Sequence, residues 1–197
     1  MSRHEASLPS DYFEGMFAGG DDPWGFATSP YERAKYEATL ASLPRPRYRN
    51  GLELGCSIGV LTRQLAGRCD ALLGLDIAAS AIAIAEERCR DLPNVRFARA
   101  VAPHDWPEGS FDLVVLSEVI YFLDRTDMMA LAKRVESCLD PAGDVVLVHW
   151  LGETDYPLSG DEAADGFIAA LAAIAAPIRQ DRNAEYRLDI LRRSGPA

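Results

Sequence analysis

The chain has 197 residues, 48% of them hydrophobic, and a formal net charge of -10 at pH 7. Such a length and apolar content suffice for one hydrophobic core, so we expect a single domain over residues 1–197. The acidic excess repels phosphate groups, which argues against nonspecific binding of nucleic acid or of anionic membranes.

Residues 1–48 are predicted to form a lid and a helix ahead of the core. Residues 1–28 carry five large aromatic side chains among glycine and aspartate, and this apolar area is expected to fold onto the rest of the chain. Ser29 and Pro30 then mark the start of a helix, and Glu32 completes a predicted capping box.

Residues 49–197 show the alternation of strands and helices that is typical of a Rossmann-like α/β core. Strands are predicted at 52–54, 71–76, 95–100, 111–117 and 145–150, helices after residue 59 and over 79–92 and 127–139, and a turn at 140–143. This order favours a mostly parallel sheet with helices on both faces. An alanine-rich helix then leads to a C-terminal antiparallel hairpin over 178–182 and 186–191.

A glycine turn follows the first predicted strand. Gly55 and Gly59 bracket it in the run Gly-Cys-Ser-Ile-Gly, and Glu53 precedes it. Asp76 ends the next strand about 20 residues later, a distance at which an acidic side chain binds ribose hydroxyls. A dinucleotide site uses Gly-x-Gly-x-x-Gly to admit the pyrophosphate, and Ser57 replaces its middle glycine. The set therefore favours a ligand with an amino acid end and a ribose, and disfavours a nicotinamide-dependent oxidoreductase.

Further motifs extend this pattern: Phe-Asp-Leu-Val-Val-Leu-Ser-Glu at residues 111–118 and Asp-Pro-Ala-Gly at 140–143. Together with the glycine turn they resemble the class I S-adenosylmethionine-dependent methyltransferases. More narrowly, residues 22–24, 29–33 and 117–121 resemble the nodulation protein S family, N-methyltransferases that act on deacetylated chitooligosaccharide. The resemblance implies a seven-stranded sheet with its last strand antiparallel, and S-adenosylmethionine as cofactor without a metal.

The same resemblance implies a cofactor site. It puts the backbone of Gly55 and Gly59 against the methionine portion, Glu53 near the amino group and Asp76 on the ribose hydroxyls. The remaining implied cofactor contacts are Cys56, Ile77 and Ser117, the adenine contacts Val101 and Ala102, and the lid residues Trp24, Tyr31 and Arg33. Many relatives have an aspartate at the Val101 position. Two of the lid residues also have structural interpretations, Trp24 as a core anchor and Arg33 as part of a solvated helix face.

Glu118 is the first candidate for the catalytic base. An amine acceptor must lose its ammonium proton before it attacks a methyl group, and a carboxylate can take that proton. Glu118 directly follows a buried strand, where an unpaired charge is costly, so a partner or a function is expected there. Tyr121 and His149 are the next candidates. The structural alternatives are a strand-exit pairing for Glu118 and a hydrogen-bonded core position for His149.

The predicted activity is S-adenosylmethionine-dependent N-methylation of an amino group on a sugar, oligosaccharide or similar polar small molecule. Two alternatives stay open, an O-methyltransferase acting on a small natural product and a non-catalytic S-adenosylmethionine-binding protein. One departure from the family affects the substrate. Relatives often have a histidine in a Gly-Asp-Glu-x-His arrangement, and this chain has alanine there, at Ala164.

The four cysteines show no Cys-x-x-Cys spacing and no clustered histidines, which predicts that the chain has no metal site and keeps its thiols reduced. The first residues lack the apolar core of a signal peptide, and the apolar run at 167–178 is shorter than the ~20 residues that span a bilayer. We therefore predict a cytoplasmic monomer or homodimer whose partner is its small-molecule acceptor.

Overall fold

The computed structural model describes residues 3–195. Its strands are β1 (Tyr48–Leu54), β2 (Cys69–Asp76), β3 (Val95–Arg99), β4 (Phe111–Ser117), β5 (Leu139–Trp150), β6 (Ala175–Arg182) and β7 (Tyr186–Arg193). Its α-helices are α1 (Ser10–Phe17), α2 (Pro30–Ser42), α3 (Val60–Leu65), α4 (Ala79–Cys89), α5 (Arg125–Cys138) and α6 (Gly160–Leu171).

The strands form a seven-stranded sheet in the order β3-β2-β1-β4-β5-β7-β6. The pairs β1–β2, β2–β3 and β4–β5 are parallel, whereas β7 runs antiparallel to both β5 and β6. The predicted fold class, a mostly parallel Rossmann-like sheet closed by an antiparallel hairpin, is therefore confirmed. Helix α4 packs on β2 and β3, and α6 packs on β5, β6 and β7.

The chain divides into two compact units, which we call the N-terminal unit (Pro9–Val101) and the C-terminal unit (Met1–Leu8 with Ala102–Ala197). The predicted boundary after residue 48 falls inside the N-terminal unit. The prediction of a single domain stays a prediction. Among residues 3–195, none of the helices has the length and apolar content that crossing a membrane requires.

Strand β1 begins four residues before its predicted start because Tyr48 is buried, with 1% of its surface exposed. Tyr48 pairs with Cys69 of β2. The polar residues Arg49 and Asn50 interrupt the apolar run in the sequence, which conceals this early start. Strand β4 has the predicted bounds, and all seven of its residues are buried.

The predicted turn at 140–143 is wrong, because these residues belong to β5. The strand accommodates the sequence Asp-Pro-Ala-Gly by a local irregularity. Ala142 has a φ of 59°, and the pairing between β4 and β5 shifts register after Phe111. Buried Asp144 follows and receives two hydrogen bonds from Arg192, of 2.8 and 3.2 Å, which tie β5 to β7.

Helix α2 starts where the sequence predicts, and the Ser29 hydroxyl accepts the Glu32 N–H. The predicted reciprocal bond of a capping box is wrong. The Ser29 N–H donates to the Gly25 carbonyl instead, and the Glu32 carboxylate pairs with Lys35 at 3.0 Å. The complete capping box is found at the start of α6, between Ser159 and Glu162.

Candidate functional site

The turn after β1 has an unusual backbone. Gly55, Ser57 and Gly59 have φ values of 78°, 46° and 76°, in the left-handed region. The N–H groups of Gly55 and Cys56 both donate to the Leu75 carbonyl, at 2.8 and 3.0 Å. The turn is therefore fastened to the end of β2. A non-glycine residue at positive φ, here Ser57, is uncommon and recurs at functional sites.

Gly59 is required where this turn meets α4. A Cβ atom at Gly59 would lie 3.0 Å from Ala85 Cβ and 3.1 Å from its Cα. We predict that Gly59→Ala lowers the free energy of unfolding by about 2 kcal/mol, because left-handed backbone alone costs an alanine roughly 1–2 kcal/mol. Gly67→Ala is the matched control, since a Cβ there would meet no atom within 4 Å among the described residues, apart from its own chain neighbours and the backbone of its own helical turn. Urea unfolding compares the two variants, and equal midpoints would contradict the prediction.

Glu53 lies at the carboxyl end of β1 and is buried, with 1% of its surface exposed. Burial raises the pKa of its carboxyl group to about 8; the Thr62 side chain lowers this pKa, and the charge of Asp76 raises it. Within residues 3–195, Glu53 Oε2 meets no hydrogen-bond partner of normal geometry. A buried polar atom without a partner is costly. This oxygen is therefore available to a donor on a ligand.

The raised pKa of Glu53 makes stability depend on pH. Between the ordinary pKa of 4.5 and the raised value of about 8, the folded chain holds a proton that the unfolded chain releases. The stability that this carboxyl group contributes is therefore fully present below its ordinary pKa, and it is lost as the pH rises through the raised pKa of the folded chain. Glu53→Gln cannot titrate, so this variant should gain stability relative to the parent across that range. Urea unfolding at stepped pH values measures the difference, and a constant difference would contradict the raised pKa.

Asp76 ends β2 beside the glycine turn, and its carboxylate joins two segments. Oδ2 accepts the Ser57 N–H and Oδ1 accepts the Ala78 N–H, each at 2.9 Å. Burial raises the pKa of Asp76, and hydrogen bonds from the backbone of Ala78, Ser57 and Ile77 lower it. Asp76 therefore organises both the glycine turn and the residue that precedes α4. Its side chain and that of Glu53 end neighbouring parallel strands.

The predicted lid residues also lie in the N-terminal unit. Trp24 stacks on Phe26, with ring centroids 5.5 Å apart, and meets the edge of Phe17. Tyr31 has the Lys35 ammonium 5.0 Å from its ring centroid. Arg33 is exposed on α2. Arg33 thus lies on a solvated helix face, whereas Trp24 is half-buried against aromatic rings and does not belong to the buried core. Contact with a cofactor stays a prediction for all three lid residues.

The other predicted cofactor residues flank the strand ends. Burial raises the pKa of the Cys56 thiol well above its ordinary value. The Ile77 carbonyl accepts hydrogen bonds from Ser10 and Arg99. Val101 and Ala102 are half-buried after β3, and Ser117 is buried at the end of β4. Their roles stay predictions.

In the C-terminal unit, Glu118 follows β4 with a φ of 57°. Its Oε2 accepts the Tyr121 hydroxyl at 2.6 Å and the Trp150 N–H at 2.9 Å. Its own N–H donates to the Val148 carbonyl at 2.8 Å. The two donors on one oxygen restrain the orientation of this carboxylate at the end of β4.

Aromatic rings pack around Tyr121, the residue that donates to this carboxylate. The Tyr121 ring stacks on Tyr156 at 5.3 Å and meets the edge of His149 at 5.5 Å. His149 is fully buried on β5. The structure thus brings the three predicted catalytic residues, Glu118, Tyr121 and His149, into one cluster. A catalytic role for each of them stays a prediction.

Sequence reasoning missed three residues of these clusters. Thr62 beside Glu53 is a fully buried polar residue on α3, and its position three residues after Gly59 is a signal that was available. The Trp150 N–H donates to Glu118, and the Tyr156 ring stacks on Tyr121. Both contacts form only when the chain has folded, and no local sequence pattern indicates either of them. Ala164, where the family resemblance implies a histidine, is fully buried in α6. Within residues 3–195, no group of three or more histidine, cysteine or acidic side chains is placed to hold a metal ion.

The family model of nodulation protein S (NodS) matches residues 16–149. Nodulation protein S of Rhizobium tropici is 31% identical over 128 residues, which are 64% of this chain and 54% of that protein. The chain thus spans a little over half the length of this curated relative.

Two solved structures are also similar. A presumed methyltransferase from Pseudomonas syringae is 36% identical with a TM-score of 0.73, and the match covers 83% of this chain and 99% of that one. The N-methyltransferase NodS from Bradyrhizobium japonicum WM9, in complex with S-adenosyl-L-homocysteine, is 26% identical with a TM-score of 0.82. This second match covers 93% of the present chain and 97% of the other.

Proposed function

Because the chain belongs to the nodulation protein S family, we propose that it is an S-adenosylmethionine-dependent methyltransferase that methylates an amino group on a sugar or oligosaccharide. The observation that carries the proposal is the pair of acidic side chains at the ends of β1 and β2. Glu53 is buried, and its Oε2 meets no hydrogen-bond partner of normal geometry among residues 3–195; the Asp76 carboxylate accepts the Ser57 N–H of the glycine turn.

These residues fit the cofactor. The amino group of S-adenosylmethionine is cationic, and the open Oε2 of Glu53 is an acceptor for it. Each carboxylate oxygen accepts more than one hydrogen bond, so Asp76 can bind the ribose hydroxyls while it keeps its bonds to Ser57 and Ala78. The turn holds Ser57 where a dinucleotide site has glycine, which suits a ligand without pyrophosphate. When bound, the cofactor supplies a methyl group activated by a positively charged sulfur.

The protein's task is to position the acceptor, exclude water and remove a proton. We assign proton removal to Glu118, whose Oε2 is fixed by the Tyr121 hydroxyl and the Trp150 N–H. The stacked rings of Tyr121 and Tyr156 fix the hydroxyl in turn. Tyr121 orients the carboxylate through this hydrogen bond, and His149, which is fully buried, packs against the Tyr121 ring.

An amine acceptor is supported by two observations. The Bradyrhizobium relative is an N-methyltransferase, and the oriented carboxylate of Glu118 is a group that can take the proton of an ammonium. An oligosaccharide amine follows from the family resemblance. An acidic hydroxyl needs less help from a base. The activity of an O-methyltransferase would therefore depend less on Glu118.

Product formation on matched acceptors tests the proposal. The protein is incubated with S-adenosylmethionine and either a deacetylated chitooligosaccharide or its fully N-acetylated counterpart, and S-adenosylhomocysteine is measured. We expect product only with the free amine. Product with hydroxyl acceptors alone would favour O-methylation, and cofactor binding without turnover on any amine or hydroxyl would indicate a binding protein.

A further inference from the structure

Helix α1 is fastened to the turn that joins β2 to α4. Glu14 Oε1 accepts the Ala79 N–H at 2.5 Å, and Glu14 Oε2 accepts the Ser80 N–H at 3.4 Å. One turn earlier on α1, the Ser10 hydroxyl donates to the Ile77 carbonyl at 3.2 Å. Both contacts join residues that are more than 60 positions apart in the sequence, so they fix α1 to this turn.

Glu14 supplies the cap that α4 lacks. The residue before α4 is Ala78, whose side chain makes no capping hydrogen bond. The first N–H groups of a helix have no partner within it and favour a nearby negative charge. Hydrogen bonds from the Ser80 side chain and from the N–H groups of Ala79 and Ser80 lower the pKa of Glu14, as does the charge of Arg99. The carboxylate is thus the form that the site stabilises.

Arg99 completes the attachment from the end of β3. Its Nε donates to the Ile77 carbonyl and its Nη2 to the Ser10 hydroxyl, both at 3.0 Å. The segment bound by these side chains begins directly after Asp76, whose Oδ1 accepts the Ala78 N–H. Movement of this segment would therefore move the Asp76 carboxylate, which we propose binds the ribose hydroxyls.

We propose that Glu14, Ser10 and Arg99 are positioning residues for the cofactor, which hold the segment after β2 so that Asp76 is preset to bind. The inference rests on the proposed function. It assigns to α1 an energetic role in cofactor binding that does not require α1 to touch the ligand. Release of α1 weakens binding, and the chemical step on a fully loaded enzyme is unaffected.

Glu14→Gln tests the inference, with Asp11→Asn as the matched control because Asp11 is exposed on the same helix. Calorimetric titration gives the Kd for S-adenosylhomocysteine, and hydrogen exchange of the Ala79 and Ser80 amides reports the contact without ligand. We expect a Kd roughly 3- to 30-fold weaker for Glu14→Gln, as for the loss of a helix cap, with faster exchange at both amides. Asp11→Asn should match the parent, and Ser10→Ala should show a smaller effect than Glu14→Gln.

Steady-state kinetics separate positioning from general destabilisation. Glu14→Gln should raise the KM for S-adenosylmethionine and leave kcat unchanged. Faster amide exchange with an unchanged Kd would overturn the inference, because the contact would then stabilise only α4. A parent protein that does not bind S-adenosylhomocysteine would overturn the proposed function itself, so the two failures are distinguishable.

Discussion

Glu118→Gln is expected to reduce kcat by roughly 100- to 10,000-fold, the usual contribution of a general base, with little change in the Kd for S-adenosylhomocysteine. The amide has the shape of the carboxylate, and its single oxygen can still accept both hydrogen bonds, because Tyr121 and Trp150 donate to the same oxygen. It has no capacity to take a proton from an ammonium group. Single-turnover methyl transfer to an amino sugar measures the effect directly.

Two controls make the Glu118 result interpretable. Glu153→Gln removes an acidic charge from an exposed position and should retain the parent's rate. Tyr121→Phe keeps the stacking on Tyr156 and removes the hydroxyl that orients Glu118, so a smaller fall in kcat is expected. Normal turnover by Glu118→Gln would exclude this residue from proton removal.

Asp76→Asn is expected to weaken binding of S-adenosylhomocysteine by roughly 10- to 100-fold, since hydrogen bonds to a charged group contribute about 1.5–3 kcal/mol. Two effects combine in this variant. First, the ribose loses a charged acceptor. Second, the amide nitrogen of the variant replaces one carboxylate oxygen and so faces the N–H of Ser57 or Ala78, which that oxygen accepts in the parent protein. Calorimetric titration provides the Kd.

Asp70→Asn is the matched control for Asp76, because Asp70 lies on the same strand with its side chain 52% exposed. Its Kd should equal that of the parent, and thermal unfolding of both variants separates binding from stability. If Asp76→Asn bound as tightly as the parent, the ribose would have to be held by another residue.

The sequence predicts best where one local signal decides the structure. Strand β4 has the predicted bounds because residues 113–116 are a continuous apolar run at its centre and both faces of the strand are buried. The glycine turn and the acidic ends of β1 and β2 follow from spacing that parallel strands impose. The C-terminal hairpin is confirmed as well, although β6 starts three residues earlier than predicted.

The predictions fail where a group has a partner other than the one that local spacing suggests. Glu32 has the spacing of a capping box, but its carboxylate pairs with Lys35. The cap of α4 comes from Glu14, 65 residues away, and no pattern near α4 reveals it. The raised pKa of Glu53 depends on burial, which only the assembled core creates. Such pairings need the fold before they can be predicted.

Calorimetric titration of the parent protein with S-adenosylhomocysteine, and separately with NAD, tests the central claim most directly. We expect saturable binding of S-adenosylhomocysteine and no binding of NAD, because the turn holds Ser57 in place of the glycine that a pyrophosphate requires. Binding of NAD without binding of S-adenosylhomocysteine would contradict it.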